Sequence, residues 1–172
     1  MKGHKEVTTK TTLGEALDGA KSEVECLRDE MEEWQSGMEG TGLENTQKYE
    51  DVTTAYDECE SAVNELEQVE VSDALLTYFE KEITFTEFQK YGKGYNSRAT
   101  RCMNVCSALN AVKESLEEQT EEVQEEINDL EDEVGDAASA KQDQQLELET
   151  HSENVQGALD YLESVEFPGM YG

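Results

Sequence analysis

Proline, aromatic rings and positive charge are all scarce in this chain of 172 residues. It has one Pro, 7% aromatics, and 13 Lys and Arg against 42 Asp and Glu. The first two shortages, beside abundant Glu, Gln, Ala and Leu, argue against sheet and for helix. The third gives a formal charge of −29, which opposes binding to nucleic acid or anionic lipid and favours basic partners. No run of 18 apolar residues occurs, so no transmembrane helix is expected. Residues 1–15, MKGHKEVTTKTTLGE, lack the apolar centre of a signal peptide. A cytoplasmic location, with Cys26, Cys59, Cys102 and Cys106 reduced, is the expectation.

What is present is strongly patterned. An apolar content of 35% can support one modest core. A charge this large would favour disorder only if those apolar residues were scattered. Charge is also segregated: residues 1–70 sum to −13, residues 71–101 to +1 and residues 102–172 to −17. Two acidic regions therefore flank a near-neutral insert.

Residues 1–12 are polar and Thr-rich, which predicts a flexible arm or at best a short edge strand. Thr12 followed by Glu15 fits a capping box. After it, Leu13, Leu17, Ala20, Val24, Leu27, Met31, Trp34 and Met38 recur at steps alternating between 4 and 3, a heptad seam that Gly37 and Gly40 end. Thr41 with Glu44 offers a second capping box. Tyr49, Val52, Tyr56, Cys59, Val63 and Leu66 form the next seam. Residues 13–70 are thus expected to be a first helical hairpin, and 71–97 a near-neutral aromatic elbow packed against the bundle end. Within that elbow, SDALLTYFEKE suggests a short helix, ITFTEF an extended piece and YGKGYNSR a turn. Residues 98–165 predict a second hairpin. Its first seam runs from Cys102 through Val105, Leu109, Val112, Leu116 and Thr120 to Val123, Ile127, Leu130 and Val134. A doubled step of four at Leu116 and Thr120 marks a stutter. GDAASAKQD is either a turn or continuous helix. Leu148, His151, Val155, Ala158, Leu162 and Val165 follow, and 166–172 form a tail after Pro168. The fold class expected is all-α: two long antiparallel helical hairpins, each roughly 40–50 Å long, coiled-coil-like or a four-helix bundle.

LRDEMEEWQSGMEGTGLENTQKY (residues 27–49) resembles an acidic helical hairpin that recurs in uncharacterised proteins of tailed phages and mobile elements. LESVEFPGMYG (162–172) resembles C-termini of the same group. The resemblance covers about a fifth of the chain. It implies a phage or mobile-element origin and so a host cytosol. It carries no activity and no functional residues.

The strongest chemical signal is the stretch Glu114 to Asp136, with twelve carboxylates and no Lys or Arg. On a helix, residues four apart lie ~6 Å from one another, close to the spacing of phosphates along a DNA strand. Glu114, Glu118, Glu122, Glu126, Asp129 and Glu133 form one such row, and Glu117, Glu121 and Glu125 a second. Read sharply, these residues are a partner-binding surface that mimics nucleic acid. Read blandly, they are the solvated face of a good helix former. Consecutive Glu pairs without lysine partners cost tenths of a kcal/mol each, which keeps the sharp reading open beside the bland one.

Other constellations carry less. Cys102 and Cys106 stand one helical turn apart, but Cys26 and Cys59 fall on separate seams and the C-x2-C spacing of zinc sites is absent. Buried thiols acting as small hydrophobes fit better. His151 falls on a seam, as a core or pH-sensitive interior residue, and His4 has no partner motif. DLEDEVGD lacks calcium-loop spacing. Lys81, Lys90, Lys93, Arg98 and Arg101 among aromatics suggest neutralisation of the chain's own acids rather than nucleic-acid contact. No enzymatic activity, cofactor or metal is expected. The reading is a non-enzymatic acidic helical binding protein, a nucleic-acid mimic that inhibits or modulates a basic nucleic-acid-binding protein. The alternative is a structural or scaffold coiled coil of a phage or mobile element, self-associating through its seams.

Overall fold

At Thr12 the backbone passes from strand to helix. The Thr12 hydroxyl accepts the Glu15 N–H and the Glu15 carboxylate accepts the Thr12 N–H, the reciprocal capping box that the spacing predicts. The computed structural model describes residues 3–92, 94–130 and 136–169. In it, this cap joins strand β1 (His4–Thr12) to helix α1 (Leu13–Met38). There follow α2 (Gln47–Glu67), a single turn α3 (Leu76–Phe79), β2 (Glu82–Lys90), α4 (Arg98–Leu130) and α5 (Asp136–Ser164). Short 3-10 turns occupy Gly42–Asn45 and Asp73–Leu75. The fold is predominantly helical, but β1 and β2 form a two-stranded antiparallel sheet that the all-α expectation omits.

The long helices share one core, with α1 and α5 each packed against both α2 and α4. Lys21, Arg28 and Gln35 of α1 meet Glu67, Glu60 and Thr53 of α2, an order of contact that requires antiparallel axes. The seams are buried largely as their periods predict. Leu27, Leu109, Leu116, Leu148 and Leu159 are at most 1% exposed, and each contributes roughly 2 kcal/mol through lost apolar surface. Trp34, placed on a seam by its spacing, is only half-buried. The buried positions step by three from Leu116 to Gln119 and then by four to Val123 and Ile127, so the doubled step of four falls at Val123 and not at Leu116 and Thr120 as expected. Gln119 is buried in place of Thr120, whose hydroxyl donates instead to the Leu116 carbonyl.

Three expectations need correction. Of the two readings of the N-terminal residues, the flexible arm gives way to the edge strand: residues 4–12 pair one for one with Glu82–Lys90, from His4 opposite Lys90 to Thr12 opposite Glu82. The near-neutral segment is not a compact plug at the bundle end. β2 runs along the flank of α4, where the Ser107 hydroxyl donates to the Thr86 carbonyl at 2.7 Å and Asn104 bonds both backbone groups of Phe88. This extended return lets α4 begin beside Glu30 of α1, met by Arg98 and Arg101, so that α4 runs antiparallel to α1. Of the segment's aromatics, Phe79 is buried and Phe85 packs on the core, while Tyr91 and Tyr95 are exposed. Finally, Thr41 caps the Gly42–Asn45 turn rather than α2, which starts after Thr46, whose hydroxyl accepts the Tyr49 N–H. From Asp136 onward GDAASAKQD is helix. Glu133, Val134 and Gly135 lie outside the described residues, as does Lys93.

Candidate functional site: an acidic helix face and an open groove

Glu114, Glu117, Glu118, Glu121, Glu122, Glu125, Glu126 and Asp129 are all exposed on α4. The expectation that they lack lysine partners is corrected for half of them. Lys81, just ahead of β2, places its Nζ 3.5 Å from Glu118 and 3.6 Å from Glu122. Lys113 reaches Glu117 at 3.5 Å, and Lys141 of α5 reaches Glu126 at 2.6 Å. Glu114, Glu121, Glu125 and Asp129 have no ion pair among the described residues. The lysine pairs lie at the surface, where each contributes at most about 1 kcal/mol and yields to salt. The face therefore holds one set of carboxylates lightly screened and another set bare.

Cations near the start of α4 are used internally. Arg101 bonds Glu23 and Glu30, and Arg98 bonds Glu30 at 2.6 Å. Burial pushes the Glu30 carboxyl up, but the bonds from Arg101 and Arg98 outweigh it and hold the group below the ordinary carboxylate range. Arg98 also lies 5.3 Å from the Trp34 ring centroid, as does the Lys48 ammonium. Two cations stationed at one indole explain why Trp34 stays half-exposed at the end of its seam.

The thiols are free. Hydrogen bonding between Cys102 and Cys106 raises the former and lowers the latter, while burial pushes Cys59 up to about 12. Cys102 donates to the Leu162 carbonyl at 3.4 Å, which ties α4 to α5. Among the described residues no group of three or more His, Cys, Asp or Glu could hold a metal ion. His151 is buried, edge-on to Phe79 at 6.1 Å between centroids, and neither ring nitrogen has a hydrogen-bond partner.

One feature escaped the sequence patterns. Between the sheet and helices α1 and α4 lies an open groove of about 880 Å³, with Thr9 and Thr11 of β1 and Phe85 and Glu87 of β2 on its sheet side. Ala16, Gly19 and Ala20 of α1 and Ala108 of α4 line it with little bulk, and Glu15, Glu23 and Glu87 border it. The available signal was the run of small residues Ala16–Gly19–Ala20, which exceeds what the α1 seam needs.

Fold and surface together define a class, an acidic helical protein with a two-stranded sheet laid along its flank. Comparison with family models, with curated proteins and with solved structures gives no match to this chain. No helix among the described residues is long and apolar enough to cross a membrane.

Proposed function

We propose that this is a non-enzymatic binding protein that presents the acidic face of α4 to a basic, nucleic-acid-binding protein and blocks that protein's nucleic-acid site. Two antiparallel hairpins, α1–α2 and α4–α5, serve as the rigid mount, and the protein acts in a host cytosol if it is phage-encoded. The carrying observation is that Glu114, Glu121, Glu125 and Asp129 stand exposed with no ion pair among the described residues. Each step along that set is about one or two helical turns, so the charges line one side of a straight rail. A basic groove meeting it exchanges water and counterions for fixed carboxylates. The surface pairs of Lys81, Lys113 and Lys141 are weak enough to rearrange at the same time.

The structure redirects the test. Glu118, Glu122 and Glu126 are lysine-paired, so removing them frees cations as well as charge. Changing Glu114, Glu121 and Glu125 to Gln removes bare carboxylates alone. The wild-type chain is expected to capture basic DNA-binding proteins at low salt and release them at ~0.5 M salt, where screening is strong. The triple variant is expected to keep its helicity by circular dichroism and lose the capture. Capture that survives the triple change, or no basic partner at low salt, ends this reading.

A second reading is a structural or scaffold protein of a phage or mobile element. The resemblance in residues 27–49 and 162–172 supports it, as do the exposed side chains of Leu43 and Leu146, 53% and 63% accessible. It requires oligomers that grow with concentration in light scattering.

A further inference from the structure

The two edges of the sheet are treated differently. Four backbone groups of β2 that point away from β1 are closed by side chains. Thr86 O is bonded by Ser107, Phe88 N and O by Asn104, and Phe88 O and Lys90 N by Asn96. In an antiparallel ladder both backbone groups of a residue point the same way, and the direction alternates along the strand. The bonds from Tyr91 N to Gly3 O and from Leu13 N to Lys81 O fix the phase, so odd residues of β1 face β2. Even residues, opposite Lys90, Phe88, Thr86 and Thr84, face outward. The outward groups of Glu6, Thr8 and Lys10 have no partner among the described residues. β1 is nine residues long, carries no proline and pairs without a bulge. Such an edge is a template for another strand.

The groove lies beside this edge. Thr9 and Thr11 of β1 and Gly19 and Glu23 of α1 line it together, so a strand added to β1 would have room beneath it for alternate side chains. The border is anionic. Glu15 is bonded by the Thr11 hydroxyl and Glu87 by the Thr9 hydroxyl, neutral donors that leave both charges uncompensated. Arg101 is already shared by Glu23 and Glu30. Lysines often guard an open edge, but Lys10 is held on the outer face by Glu82 at 2.7 Å. We propose that the free edge of β1 and the groove beside it form a strand-addition site for an extended basic peptide segment of a partner protein. Its backbone pairs with Glu6, Thr8 and Lys10. Its inward lysines or arginines lay their methylene stems over Ala16 and Gly19 and bring their charges to Glu15, Glu23 and Glu87.

This site is separate from the bare carboxylates of α4, and the two readings fail separately. The probe is the capped peptide Thr-Lys-Thr-Lys-Thr-Lys-Thr, compared with the same peptide N-methylated at alternate amides and with Glu in place of Lys. The readout is backbone amide exchange of the full chain. Peptide binding is expected to protect the Glu6, Thr8 and Lys10 amides, and the triple change of Glu114, Glu121 and Glu125 to Gln should leave that protection unchanged. The N-methylated and Glu peptides should give none. Gly19→Phe puts a ring into the groove from a helical position whose added Cβ meets nothing within 4 Å, and is expected to weaken binding at least about tenfold with the fold intact. Thr8→Pro removes an outward N–H that the ladder does not use and should have the same effect. Equal binding of the N-methylated peptide would reduce the contact to charge alone and overturn the proposal. So would no binding at about 1 mM peptide. Protection of the same three amides that grows with protein concentration, without peptide, would assign the edge to a second copy and overturn it equally.

Discussion

His151 occupies a position where the seam of α5 calls for an aliphatic residue. Its ring is buried, both nitrogens lack partners, and the Glu147 carboxylate is 3.8 Å from Nε2. Burial lowers its pKa below the ordinary value of 6.5, and the opposing pull of the Glu147 carboxylate is smaller. The folded state therefore takes up a proton less readily than the unfolded chain. Stability is unaffected well above pH 6.5 and falls as pH drops through that value. His151→Leu removes two unsatisfied buried nitrogens and should stabilise the fold by about 1–2 kcal/mol at pH 8. Urea titrations at pH 8 and pH 5.5 should show the gap between variant and wild type widening at the lower pH. A constant gap would mean that the imidazole titrates alike in both states. The comparison must be made between the two proteins, because acidification also relieves carboxylate repulsion in each.

Among the elements, the helices were legible because each carries its burial pattern in its own period. Leu13, Leu17, Val24 and Leu27 identify a buried face without knowledge of what covers it. The pairing of the two strands was not legible for the opposite reason, although residues 1–12 and ITFTEF each allowed an extended piece. Thr8 and Thr86 make a strand only in each other's company, and nothing local in EVTTKTT specifies a partner so far along the chain. ITFTEF alternates enough to suggest an extended piece, yet the side chains that fasten it, Asn104 and Ser107, are polar residues on the outside of a helical seam. The acidic face was legible as charge, but its division into lysine-paired and bare carboxylates depends on Lys81 and Lys141, which distant segments deliver. The role given to Asn104 can be checked. It accepts the Phe88 N–H at 2.8 Å and donates to the Phe88 carbonyl at 3.0 Å. Asn104→Ala should cost about 1–3 kcal/mol, since the half-buried Phe88 N–H loses its partner while the Phe88 carbonyl keeps only the bond from Asn96. Hydrogen exchange should speed up at Phe88 while the amides in the middle of α4 keep their protection. If all amides accelerate together, β2 and the helices unfold as one unit and Asn104 has no local fastening role.

At the scale of the whole molecule, 42 acids confront 13 bases, and several of those bases are already committed to ion pairs between α1 and its neighbours through Arg28, Arg98 and Arg101. Folding gathers the remaining negative charge onto a smaller surface than the unfolded chain offers. Self-repulsion therefore opposes the compact state. Salt acts on this in two directions. It screens the repulsion, which stabilises the fold, and it weakens exposed ion pairs such as Lys10 with Glu82, each worth at most about 1 kcal/mol. With so large an excess of one sign the first effect should win. Raising sodium chloride from roughly 0.02 M to 0.5 M shortens the screening length several-fold and should raise the Tm by about 5 °C, the equivalent of about 1–2 kcal/mol for a chain of this size. The triple change of Glu114, Glu121 and Glu125 to Gln should start from a higher Tm and gain less from salt, because it deletes repulsions between residues one turn apart. A Tm that falls with salt would show that the surface pairs of Lys81, Lys113 and Lys141 outweigh the excess charge. The α4 face would then belong to the protein's own stability, with little left over for a partner to meet.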